Sequence, residues 1–138
     1  MATRRTQIVE ALKDDLGTID DVLEANVFRQ FKYLEEINDF PSICFLSRGE
    51  NRLHRGAGRR LAGLQIDVRG YVYDEDEIGE AESLGDSIET IVNAFADRYP
   101  QHAVEDARVL SFRTDEGLFT PYGTVDLSVQ LTYDVENV

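Results

Sequence analysis

The residues of this chain most able to do chemistry stand in DEDEIGEAE at positions 74–82. Hard cations such as calcium take several carboxylates from a flexible loop, so the run invites a metal reading. Counted from Asp74, the fifth place is Ile78 and the twelfth is Gly85, where a calcium-binding helix–loop–helix needs oxygen ligands. The template fails, and the plainer expectation is an exposed acidic loop leading into a helix, whose positive N-terminal end favours acids.

The remaining candidates are weaker. Gly56 and Gly58 precede a strand-like segment, whereas phosphate loops open a helix and carry a following GK[ST]. Neither GxSxG nor HExxH nor CxxC occurs. His54 and His102 lack a partner spaced to complete a metal site, and Cys44 sits in an apolar run as a buried, inert thiol. Pairs of carboxylates arise easily among 27 acids and without geometry mean nothing. The expectation is no catalytic residue, no metal and no cofactor.

A different feature stands out on charge. Residues 48–60 read RGENRLHRGAGRR, so Arg48, Arg52, Arg55, Arg59 and Arg60 face the single acid Glu50 in a chain of net charge -13. As a glycine-rich, flexible basic loop, this stretch has three readings. It is a solvated loop easing self-repulsion, an arm for an acidic surface on a neighbouring copy or another protein, or a phosphate-contacting finger. It holds no aromatic residue for base stacking, and the acidic remainder opposes phosphates, so electrostatics favours the arm.

The elements that position these groups follow from periodicity. Ile8, Leu12 and Leu16 at four-residue spacing make residues 3–16 an amphipathic helix stopped at Gly17. Residues 19–41 stay open between helix and strand. Val27, Phe31 and Leu34 suit a helix, VFRQFKY suits a strand, and Pro41 ends the segment before the short strand SICFLS. LQIDVRGYVY at 64–73 alternates apolar and polar residues as a half-buried strand does. Leu84, Ile88, Ile91, Val92 and Phe95 trace a helical stripe over 83–98, with Ser83 and Asp86 as its cap and Pro100 closing it.

ARVLSFRTD is a further strand, and 125–135 is the clearest alternation of all. Between them TDEGLFTPYG is a turn whose Leu118, Phe119 and Tyr122 form an exposed apolar tip suited to a subunit contact. These elements make one domain over 1–138. Its fold class is α+β, a mixed and mainly antiparallel sheet with helices packed on one face. The opposite face, carrying Asp67, Arg69, Asp126, Gln130 and Asp134, meets water or a polar partner.

Composition bounds the rest. A chain of 138 residues with 42% hydrophobic and 30% charged residues folds without staples. A lone cysteine fits a reducing compartment, and no segment reaches the length of a membrane span. A sequence pI near 4.4 argues against general adhesion to DNA or anionic lipid.

FKYLEEINDFPSICFLSRGE, GRRLAGLQIDVRGYVYDEDE and ARVLSFRTDEGLFTPYGTVDLSVQLTYD, in that order, resemble the tail terminator (tail completion) proteins of long-tailed bacteriophages, those with contractile tails most closely. The resemblance runs from about Val27 to the C-terminus and rests on INDFPS, RGYVYDED and TDEGLFTPYG. It implies a structural virion protein at the neck junction of the tail, assembled in the host cytoplasm. Such a protein caps the tail tube as a hexameric ring, stops polymerisation and presents the surface for the head's connector and neck proteins. In a contractile tail it also meets the sheath protein.

On that reading DNA only passes through the lumen, and no membrane is involved. The arginines of 48–60 would engage a neighbour's Asp74, Glu75, Asp76 and Glu77. Three other readings compete: a head-side adaptor or head-closure ring, a small metal-dependent enzyme using the acids around 67–82, and a nucleic-acid binder working through the arginines.

Overall fold

The computed structural model describes residues 3–23, 26–54, 60–115, 117 and 120–135. Helix α1, Arg4–Leu16, starts where the Thr3 hydroxyl accepts the Thr6 N–H at 3.2 Å. It ends at Gly17, as its periodicity requires. Then come strands β1 (Val27–Phe28), β2 (Ser42–His54) and β3 (Arg60–Tyr73), helix α2 (Glu77–Arg98), and strands β4 (Val104–Thr114) and β5 (Tyr122–Asp134).

The five strands form one sheet in the order β1-β2-β3-β5-β4. Every neighbouring pair is antiparallel except the short parallel pairing of β1 with β2. Both helices cover one face of it. Ile8, Leu12 and Leu16 of α1 and Leu84, Ile88, Val92 and Phe95 of α2 share one core with the inward rows of β2, β3 and β5. Full burial of one such side chain is worth about 1.5–3 kcal/mol, so this layer supplies most of the driving force. Buried Asp15, at the end of α1, accepts the Tyr99 hydroxyl at 2.6 Å and meets Arg98 at 3.2 Å, tying the C-terminal ends of the helices together.

Several expectations change. The basic stretch is not a flexible loop from 48 to 60: Arg48–His54 continue β2 and Arg60 begins β3, while residues 55–59 lie outside the described ones. A bulge hid this strand. The register shifts between Ser47 and Gly49, leaving Arg48 out of step, and Gly49 takes a φ of +146°, which a glycine tolerates best. Residues 77–82 are likewise not loop. Helix α2 begins at Glu77 with Asp76 as its cap, the Asp76 carboxylate accepting the Gly79 N–H at 3.3 Å, so Ser83 and Asp86 lie inside the helix.

The open stretch 19–41 resolves into β1 and a 3-10 turn at Leu34–Glu36. It lies over part of the sheet's second face. There Phe28, Phe31, Leu34 and Phe40 pack on Ile37, Cys44 and Tyr71, and the Tyr71 hydroxyl donates to the Lys32 carbonyl at 2.7 Å. The second face is therefore polar only beyond this cover.

Candidate interaction surfaces

The one acid of the basic stretch organises it. Glu50 points toward the helices, its side chain only 7% exposed, and Arg5 of α1 grips it with Nε and Nη2 at 2.9 and 2.7 Å. Arg52 adds a contact at 2.5 Å, and the Tyr133 hydroxyl of β5 hydrogen-bonds the same carboxylate. Burial alone would raise the pKa of Glu50. The hydrogen bonds from Arg5, Tyr133 and Arg52 outweigh it and hold the group down to about 2. Tyr133, buried beside that anion, is pushed up to about 12. Sequence reasoning missed this network because Arg5, Glu50 and Tyr133 are far apart along the chain.

The other arginines also have work within the fold. Arg48 meets Asp67 across β2 and β3 at 2.6 Å, and Arg69 meets Asp126 across β3 and β5 at 2.6 Å. Both guanidinium groups lie over the Phe31 ring, 5.6 and 5.5 Å from its centroid. The side chains of Arg48 and Arg52 remain 54% and 53% exposed, so each still offers a charged surface. Arg55 and Arg59 lie outside the described residues. Among the described residues, Arg52 and Arg60 thus lie toward the far end of the β2–β3 hairpin, on strands paired through His54 and Arg60.

The acidic stretch lies at the opposite end of the same hairpin. Asp74, Glu75 and Asp76 are exposed there, as expected. Glu77 is not: it is 7% exposed, and its carboxylate accepts the Thr120 hydroxyl at 2.6 Å, so it anchors the loop before β5. Tyr122 is also corrected. It lies in β5, half-buried, and packs edge-on to Tyr73 at 4.9 Å and against Phe40 at 5.6 Å, away from any loop tip. Leu118 and Phe119 lie outside the described residues.

Beside this aromatic group a cleft of about 430 Å3 opens between residues 19–21, 40–41 and α2. Asp20, Asp21, Asp74 and Glu80 line it together with Phe40 and Tyr73. Sequence reasoning found Asp74 but not its companions, since Asp20 and Asp21 stood in the stretch left open and Glu80 was assigned to a loop.

Among the described residues no group of three or more His, Cys, Asp and Glu is placed to hold a metal ion, and no helix is long and apolar enough to cross a membrane. Cys44 is buried, which raises its thiol pKa. His102 stacks on Tyr99 in the packing at the end of α2.

A small α+β domain with opposite charge at the two ends of one hairpin has the character of a structural protein built to meet other proteins. Its likeness to known chains agrees. Residues 2–138 match the family model described as Bacteriophage Tail Tube Terminator Protein, and the chain belongs to that family. It is 27% identical over 150 residues to tail tube terminator protein p142 of Escherichia phage T5, covering 94% of this chain and 92% of that protein. In fold it is similar to a chain in the virion of a native gene transfer agent particle, with a TM-score of 0.51 at 10% identity over 93% of this chain and 90% of that one.

Proposed function

We propose that this tail terminator closes the tail tube as a ring, the six-fold ring its sequence resemblance implies, and so ends tube polymerisation. It then offers the surface on which the filled head's connector and neck proteins dock, and in a contractile tail it meets the sheath. Assembly takes place in the host cytoplasm, and the mature protein stays in the virion at the neck junction. The observation that carries this reading is the terminator family match over nearly the whole chain. The fold adds a reason: a domain basic at one end and acidic at the other favours head-to-tail contacts, and such contacts close into rings when the rotation permits.

On this reading the arginines at 48, 52, 55, 59 and 60, with Leu118 and Phe119, contact neighbouring subunits or the tube. The role asks for no catalysis. A net charge of -13 also suits a ring through which DNA slides without sticking.

Electron microscopy of lysates from a phage lacking the gene tests the proposal. The expected picture is tails of uncontrolled length beside detached full heads. Tails of normal length beside heads unable to join them would move the protein to the head side of the neck. Intact infectious particles would overturn the reading altogether.

A further inference from the structure

We infer that the cleft beside α2 is the receptor for the arginine-bearing hairpin end of a second copy of this chain. Its chemistry fits a guanidinium on an apolar stem. Asp20, Asp21, Asp74 and Glu80 supply negative charge, and among the described residues no Lys, Arg or His lines the cleft. Among the described residues none of the four carboxylates has a cation within ion-pair distance. Phe40 and Tyr73 supply aromatic walls, and the Tyr73 ring is held by Tyr122 yet 56% exposed.

A flat, weakly hydrated cation gains from such walls, whereas a small hydrated metal ion does not. Exposed aromatic surface beside unpaired charge is the composition of an anchoring pocket at an interface.

The occupant is a second copy because the matching groups are built into this chain but cannot reach the cleft. Arg52 stands opposite Ala62, and Tyr73 is at the other end of β3. The run between them spans roughly 36 Å at ~3.3 Å per residue, so one subunit's Arg52 never approaches its own cleft. Between neighbours the contact joins unlike ends, and each subunit is left with one donor and one receptor to pass on. This inference rests on the terminator ring and names the surfaces that join it.

Zero-length carbodiimide coupling on isolated tails carrying Arg52→Lys tests it, because an amine at that position joins directly to any carboxylate it touches. The expected product is an amide between position 52 and Asp20, Asp21, Asp74 or Glu80, and the length of β3 makes any such link intermolecular. Tails of normal length that carry the protein but yield no such link would overturn the docking and leave the terminator reading standing. Tails that never carry the protein would overturn both.

A second variant reads the same contact by charge. Asp20→Lys with Glu80→Lys, folded by far-UV circular dichroism, should cut incorporation into tails at least tenfold, and adding Arg52→Glu should restore much of it. Unchanged incorporation by the first pair would overturn the docking.

Discussion

Glu50 joins β2 to α1 through Arg5 and to β5 through Tyr133, and its surroundings decide how it behaves with pH. Its folded pKa of about 2 lies below the ordinary 4.5, so its contribution to stability is fully present above about 4.5 and fades as the pH falls toward 2. Hydrogen bonds to a charged group are worth about 1.5–3 kcal/mol, and Arg5 is half exposed, so Glu50→Gln should cost about 2 kcal/mol at pH 7. Urea midpoints of the two proteins should converge as the pH is lowered from 7 to 3. A gap that stays constant with pH would show that the carboxylate's charge is irrelevant. The Arg48–Asp67 and Arg69–Asp126 pairs lie open to water on the other face, and pairs of that kind contribute only about 0–1 kcal/mol.

At the scale of elements, α2 is pressed on the sheet where Gly85 crosses it. A Cβ there would sit 2.4 Å from Phe112 Cζ and 2.8 Å from Val125 Cγ2, closer than packed atoms come. In an exposed helix Gly→Ala gains about 0.5–1 kcal/mol, whereas overpacking costs about 1–3 kcal/mol. Steric crowding wins, so Gly85→Ala should lower stability by about 1–2 kcal/mol in urea unfolding. A stabilised variant would mean the helix can lift off the sheet freely.

The elements legible in sequence are α1, the first half of β2, most of β3, α2 from Ser83 onward, β4 and β5. Legibility ended where a rule was locally broken. The bulge at Arg48 disguised the second half of β2 as a loop, the acids that favour a helix N-terminus looked like a solvated run, and 19–41 packs by scattered aromatics without a period. The same interruptions concealed the candidate sites. Arg48 and Arg52 were visible as charge but not as strand, Glu77 was visible as an acid but not as an anchor, and the cleft draws its walls from three segments that only the fold unites. β4 and the outer side of β2 leave sheet edges open, and the bulges and charges along them are how an edge avoids random pairing.

For the whole molecule, charge poses a problem that assembly must solve. Copies bearing -13 each repel one another at long range, while the proposed contact between arginines and the acidic cleft attracts only at short range. Salt acts on both, but not equally. The Debye length is about 30 Å at 0.01 M, about 10 Å at 0.1 M and about 3 Å at 1 M, so modest salt removes the repulsion between whole subunits first. Partly buried pairs are screened much less and weaken only later. Association of the purified protein with itself or with uncapped tubes, followed by sedimentation velocity, should therefore rise from low salt to a maximum near 0.1–0.2 M and decline toward 1 M. A steady rise to 1 M would assign the assembly to apolar burial, because that term survives screening, and would remove the arginine contact as its driving force.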